Sequence, residues 1–287
     1  MATVYERLEA RVQRDEGSRG IRSILPSSPQ LEAGAQAILP AERIAILTGF
    51  PCLRDCDPDF ETDGPPGALA IAEMLESLGK FVIMLVDGSS YPAFRQLLDW
   101  FNTTNGTHIG IRGFTPNSKD FRNVEADFVV AIERPGKAKD GGYYSMRGVP
   151  LTEVVCPLDQ HFLAEGKPWS SFAIGDGGNE AGLGSLYELI AQHIPNGPLI
   201  ASTTCAAHTL VASVSNWGGY AYSLAIALAA KRPPLLTEAR EIALAHKMQE
   251  LGIRDGITKE LGLTVDALPW EANAEVIRDL LAIANSS

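Results

Sequence analysis

Two kinds of apolar pattern alternate along this chain. Steps of four residues mark amphipathic helices, and short unbroken runs of branched residues mark buried strands. Val4, Leu8 and Val12 predict a first helix over residues 4–14, ended by Gly17 and Gly20, and residues 31–39 predict a second after Pro26 and Pro29. Residues 43–48, Arg-Ile-Ala-Ile-Leu-Thr, read as a buried strand that stops at Gly49. Pro65 and Pro66 open a helix over 68–78, Gly79 closes it, and residues 81–86 give the next strand. That β-loop-α-β order predicts a parallel sheet with crossover helices. Further along come a helix at 91–101, strands at 127–132, 171–175 and 208–213, and a helix at 186–193. Residues 214–220 read as an exit turn, 222–230 as a buried helix, and 237–283 as two or three helices broken near Gly252 and Pro269. The expected class is α/β with a mostly parallel sheet, in one domain over residues 1–287.

Four polar turns each follow a predicted strand: 61–63, 133–147, 176–180 and 215–217. Ligands of open parallel sheets bind beyond the carboxyl ends of the strands, so the turns are expected to converge on one site. They would bring the carboxylates Glu61, Asp63, Glu133, Asp176 and Glu180 together with the cations Arg134, Lys137, Lys139 and Arg147 and the polar groups of Asn179, Ser215 and Asn216. Clustered carboxylates repel unless a cation sits among them or one keeps a proton, and both arrangements serve acid–base chemistry. Oxygen ligands of this kind suit Mg or Mn, and Glu61, Asp63, Asp176 and Glu180 are the candidate metal ligands. The plain alternative for each carboxylate is a helix cap or an arginine partner. Trp217 fits a pocket wall or the core equally well, and His208 opens a strand leading towards the Ser215 turn.

Composition narrows the ligand. A net charge of −11 and a pI near 5.0 leave no basic face for nucleic acid or for an anionic membrane, which points to a small molecule. No apolar run is long enough to span a bilayer, and residues 1–7 lack the basic-then-apolar order of a leader, so a cytoplasmic location is expected. Gly175-x-Gly177-x-x-Glu180 places a carboxylate where the dinucleotide fingerprint needs its third glycine, so no nucleotide cofactor is expected. Cys52, Cys56, Cys156 and Cys205 read as ordinary thiols, since Cys-x-x-x-Cys without a second ligand pair is poor zinc spacing. His108, His161, His193 and His246 are scattered without ligand spacing, and no serine lies in a Gly-x-Ser-x-Gly elbow.

Together these segments resemble the D-glutamate cyclase family. The resemblance is carried by Gly20-Ile21, Thr48-Gly-Phe-Pro51, Glu61-Thr-Asp-Gly-Pro-Pro-Gly67, Glu133-Arg-Pro-Gly136, Asp140-Gly-Gly-Tyr-Tyr-Ser-Met-Arg-Gly148, Ile174-Gly-Asp-Gly-Gly-Asn-Glu180 and Val214-Ser-Asn-Trp-Gly-Gly-Tyr220. It implies a three-layer α/β/α sandwich, the loss of water from D-glutamate to give 5-oxo-D-proline, and a divalent cation in some members. For that chemistry Asp63 or Asp176 is the expected base and Glu180 or Glu61 the acid or metal ligand. Arg134 and Arg147 are expected to clamp the substrate carboxylate, Asn216 and Asn179 to donate to the reacting oxygen, and Glu133, Ser215 and Trp217 to line the substrate. A Mg- or Mn-dependent phosphohydrolase and a non-catalytic sensor of a small anionic metabolite stay open as alternatives, as does a homo-oligomer.

Overall fold

The computed structural model describes residues 2–167 and 169–286. Its main sheet has six parallel strands: β1 (Arg43–Leu47), β2 (Phe81–Asp87), β3 (Gly110–Phe114), β4 (Phe128–Ile132), β5 (Ser170–Gly175) and β6 (His208–Val211). They lie in the order β3-β2-β1-β4-β5-β6. Central strands are buried on both faces, which is why they read as unbroken apolar runs. Ile44 and Ile46 of β1 face one core, and Ala45 and Leu47 face the other. The order runs outward in both directions from β1 and β4, and the crevice beyond their carboxyl ends is the switch point where open α/β sheets bind ligands.

On the first face pack α1 (Val4–Val12), α2 (Leu31–Ile38), α3 (Pro65–Ser77), α4 (Tyr91–Asn105), α8 (Ser215–Ala229), α9 (Glu238–Glu250) and α10 (Trp270–Asn285). The thinner layer on the second face holds α5 (Leu158–Phe162), α6 (Tyr187–His193), α7 (Gly197–Ile200) and the 3-10 turns at Ile21–Ile24 and Asp120–Asn123. The architecture is a three-layer α/β/α sandwich. The turn after β5 does not run straight into a helix. It pairs first with the segment around Cys205 and passes a short 3-10 turn, Gly184–Leu186, before α6 begins.

Three features depart from the pattern reading. Strand β3, Gly-Ile-Arg-Gly-Phe, lacks an apolar run because it is an edge strand whose Gly113 lies against the Tyr91 side chain, where a Cβ would come within 2.6 Å of the Tyr91 Cβ. Residues 264–269 form a hairpin of β7 (Thr264–Val265) and β8 (Leu268–Pro269) rather than a break between helices. The segment read as an exit turn after β6 is the first half of α8. Its glycines serve close packing, because a Cβ on Gly219 would sit 2.5 Å from Gly67 Cα on α3. In a turn glycine supplies conformational freedom, whereas here it lets two helix backbones touch.

The same logic joins α2 to the sheet. A Cβ on Gly34 would fall 2.2 Å from the ring of Phe172, which is itself buried and stacked on Tyr222 at a centroid distance of 3.8 Å. The Tyr222 hydroxyl donates to the Gly34 carbonyl at 3.0 Å. Gly34→Ala is expected to lower the unfolding free energy by about 1–3 kcal/mol, the usual cost of overpacking a filled core. Urea denaturation of the variant beside the parent checks this, with an unchanged midpoint as the contrary result.

Candidate active site

Beyond the switch point lies a cavity of about 470 Å³, walled by Arg19, Glu61, Glu133, Asp176, Asn179 and Asp266 and rimmed by the cations Arg54, Arg147 and Lys259. Each acid arrives on a different element. Glu61 comes from the long loop after β1, Glu133 from the end of β4, Asp176 from the turn after β5, and Asp266 from the β7–β8 hairpin. Asp266 and Ala267 both have positive φ, 55° and 63°, as a two-residue hairpin requires. Glu133 also sits at φ 42°, an uncommon conformation for a side chain of its kind.

Several expected residues stand behind this wall and hold it. Both Glu180 oxygens accept main-chain N–H groups, from Asp176 at 2.9 Å, Gly177 at 2.7 Å and Gly178 at 2.6 Å, so Glu180 fixes the turn that presents Asp176. Asp63 and Asn216 cap each other's helices. Asp63 accepts from the N–H groups of Ser215 at 2.8 Å and Asn216 at 2.7 Å at the start of α8, while Asn216 Oδ1 accepts from Gly64 at 2.9 Å and Gly67 at 3.0 Å at the start of α3. Ser215 Oγ donates to Glu133 Oε2 at 2.6 Å.

Arg134 does not reach the cavity. It makes a buried two-pronged pair with Asp87, at 2.6 and 2.8 Å, and donates to the Cys156 carbonyl at 2.7 Å. Trp217 is core, with its indole N–H on Asn273 Oδ1 at 2.8 Å. Asn179 lines the cavity and donates to the Tyr144 carbonyl at 2.9 Å. Arg147 reaches across the mouth to the Ile257 carbonyl at 3.3 Å. Lys137 and Lys139 turn outward to Gln160 and to the Tyr187 ring. His208 begins β6 and is therefore at the opposite end of the strand from the cavity.

Arg19, Cys52 and Asp266 were not foreseen, and they complete the electrostatics. Arg19 places one guanidinium nitrogen 2.6 Å from Asp176 Oδ2 and another 2.6 Å from Asp266 Oδ1. Burial disfavours its charge, but Asp176, Asp266, Glu133 and Asp63 outweigh that and hold its pKa above the ordinary value. Cys52 donates from Sγ to Glu61 Oε1 at 3.2 Å. Burial, then Glu61, pushes the Cys52 thiol well up, so it is a hydrogen-bond donor rather than a thiolate nucleophile. The remaining wall is stapled by Asp255, whose carboxylate accepts from Ile257 and Ala267, each at 2.8 Å, and from Thr258 at 2.9 Å. Gly256 packs so closely that a Cβ there would overlap the Glu61 carboxylate and displace it.

The acids feel one another strongly. Burial, then Glu180, Asp63 and Glu61, raises Glu133 well above the carboxylate range. Burial with Asp266 and Asp63 does the same to Glu61. Asp63 is pushed up to about 8 by burial and Asp266, against its main-chain donors and Arg19. Asp176 is also raised, by burial and then by Glu133, Asp266 and Asp63, with Arg19 opposing. Three buried acceptor atoms on cavity-lining residues, Asp176 Oδ2, Asp266 Oδ2 and Asn179 Oδ1, have no hydrogen-bond donor among the described residues, and of these Asp176 Oδ2 has an ion pair with Arg19. Buried acceptors of this kind are costly unless a ligand supplies the donors.

An oxygen donor set for a hard cation exists on paper, with oxygens of Asp63, Asp176 and Asp266 within 4.8 Å of one another, and likewise those of Glu133, Asp176 and Glu180. Asp63 and Glu180 already spend their oxygens on main-chain N–H groups, and Arg19 stands between Asp176 and Asp266. As arranged, the residues fit a guanidinium and do not fit a divalent ion.

Fold and site define a doubly wound α/β protein with an acid-lined cavity at its switch point. The family described as D-glutamate cyclase-like, C-terminal matches residues 8–281, and the chain belongs to it. It is 31% identical over 318 aligned positions to the human (Homo sapiens) D-glutamate cyclase, mitochondrial, covering 97% of this chain and 52% of that protein. The chain thus spans about half the length of the relative it matches. Among the described residues, no helix is long and apolar enough to cross a membrane.

The raised acids give stability a definite pH dependence. A carboxyl whose folded pKa exceeds its unfolded one binds more protons in the native state, so its stabilising contribution is complete below about pH 4 and is lost as pH rises through the folded pKa. For Asp63 that pKa is about 8. The urea midpoint is expected to fall steadily between about pH 5 and 9, and Glu133→Gln is expected to flatten the decline. A midpoint that rises over this range contradicts the assignment.

Proposed function

We propose that the protein is a lyase that closes D-glutamate to 5-oxo-D-proline with loss of water. The observation that carries this reading is the surplus of buried acceptors facing one cavity, with Asp266 Oδ2 and Asn179 Oδ1 unpaired. Such a wall asks for a ligand head rich in N–H donors, which an α-ammonium group supplies, while the rim cations Arg147, Lys259 and Arg54 suit the carboxylates of the same molecule. An acidic amino acid carries both. The relative's name supports the same substrate.

Ring closure needs a neutral amine, an electrophilic γ-carboxyl and a proton for the departing hydroxyl. Asp176, whose carboxylate form Arg19 favours against the burial that raises its pKa, takes the ammonium proton. The amine attacks the γ-carboxylate carbon and the new C–N bond forms; the second N–H proton passes to the former carboxylate oxygen, which becomes the hydroxyl, and the C–OH bond breaks. Glu133, neutral because it is buried among acids, gives its proton to the leaving hydroxyl, which departs as water. Oxygens of Glu133 and Asp176 lie within 4.8 Å of each other, close enough for acid and base to serve one substrate. Asp176 holds the proton taken from nitrogen and returns it to Glu133 through product or water, so the cycle closes without net proton change. Arg147 holds the α-carboxylate at the mouth, and binding both ends of the chain brings amine and carboxyl together.

Incubating the purified protein with D-glutamate or L-glutamate and resolving the products by chiral chromatography tests the reading. Formation of 5-oxo-D-proline from the D form alone is expected, and no turnover of either form overturns it. Glu133→Gln is expected to lower kcat about 10²-fold or more with the fold intact. Arg147→Lys keeps the charge but loses the planar fork, and should raise KM more than it lowers kcat. An unchanged KM removes Arg147 from substrate binding.

A further inference from the structure

The acids of this site meet where a hard cation would be expected to sit, yet the centre is filled by the chain itself. Arg19 spans Asp176 and Asp266 with two nitrogens, each 2.6 Å from a carboxylate oxygen. Its side chain is 16% exposed, whereas those of Asp176 and Asp266 are 2% and 3% exposed. The backbone that delivers Arg19 is held at several points. Asp15 and Ser18 take positive φ, 61° and 52°, and the Asp15 carboxylate accepts from the N–H groups of Arg19 at 2.9 Å and Gly20 at 3.1 Å. Ser213, just after β6, accepts from the Asp15 N–H at 2.8 Å and donates its own N–H to the Val12 carbonyl at 2.7 Å. Strained non-glycine backbone persists only where its surroundings over-determine it, and here the outcome is one guanidinium set at a fixed point.

We infer that Arg19 is the resident cation of the acid cluster, a positioning residue that stands where a divalent metal would otherwise bind. A guanidinium offers a planar fork that reaches two carboxylates at once, which the point charge of lysine does not. It is always charged, needs no supply from solution, and leaves Asp266 Oδ2 and Asn179 Oδ1 free for the ligand. Arg19 and a divalent ion exclude each other, since both would need the same Asp176 and Asp266 oxygens and would repel within a few ångströms. This inference rests on the geometry of the site and not on the substrate assigned to it, so its test makes no use of turnover.

The test is metal binding and thermal stability of the chelator-treated protein, with MnCl₂ and MgCl₂ as probes, read by isothermal calorimetry and by the unfolding midpoint. The parent protein is expected to bind neither ion at the site and to keep its midpoint when either is added. Arg19→Ala vacates the centre and is expected to acquire one Mn²⁺ site with a rise in midpoint on adding Mn²⁺, and Asp266→Asn in that background is expected to abolish the gain. Arg19→Lys keeps a charge in place and should bind Mn²⁺ at least tenfold more weakly than Arg19→Ala. Stabilisation of the parent by Mn²⁺ equal to that of Arg19→Ala overturns the inference. Should Arg19→Ala fail to fold, the parent alone decides it: a stoichiometric Mn²⁺ site there refutes the proposal, and insensitivity to the ion upholds it.

Discussion

Six carboxyl groups, those of Glu61, Asp63, Glu133, Asp176, Glu180 and Asp266, are buried together where the strand order of this sheet reverses. Like charges packed at this density cost several kcal/mol for each ion left uncompensated, so the fold must neutralise, solvate or protonate every one. It does so in three ways. Glu180 and Asp63 are solvated by main-chain N–H groups of the turns and helices they hold. Asp176 and Asp266 share the guanidinium of Arg19. Glu133 and Glu61 have a hydroxyl and a thiol as partners and are pushed towards their neutral forms.

That division also explains why so much of the chain is committed to the site. The reciprocal caps between Asp63 and Asn216 lock α3 to α8, and the Gly67–Gly219 contact brings the two helix backbones close enough for the caps to form. Asp255 folds the C-terminal segment so that Asp266 faces inward, and Thr62 bonds to that segment at the Arg254 and Thr264 carbonyls. The outer helices are therefore part of the active-site wall and not only a cover for the sheet. Packing and the candidate site draw on the same residues, and changes in either are felt in both.

The sheet was legible because its central strands are apolar on both faces, and the family was legible in the residues of the glycine-rich segments 61–67, 174–180 and 214–220. Periodicity could not find β3, whose two glycines and exposed arginine hide an edge strand, or the start of α8, where Ser-Asn-Trp-Gly-Gly looks like a turn until its glycines are seen against α3. Within the site, Glu61, Glu133, Asp176, Asn179 and Arg147 came from turns that follow strands and line the cavity. Arg19 and Asp266 lay outside that rule. One precedes a 3-10 turn near the N-terminus and the other forms the corner of a hairpin with no glycine, so only tertiary structure brings them together. Arg134 and Trp217 carry the chemistry of ligand-binding residues, but neighbours that sequence spacing does not announce, Asp87 and Asn273, had already engaged them.

A buried glutamate of this site keeps its proton at neutral pH because burial and the acids around it raise its pKa. Infrared spectroscopy of the protein in D₂O, with carbon-13 in the glutamate side-chain carboxyls, reads the protonated form directly through its carbonyl stretch. A protonated-glutamate band is expected at pH 7, losing intensity in Glu133→Gln. A spectrum at pH 7 in which every glutamate is ionised would contradict it.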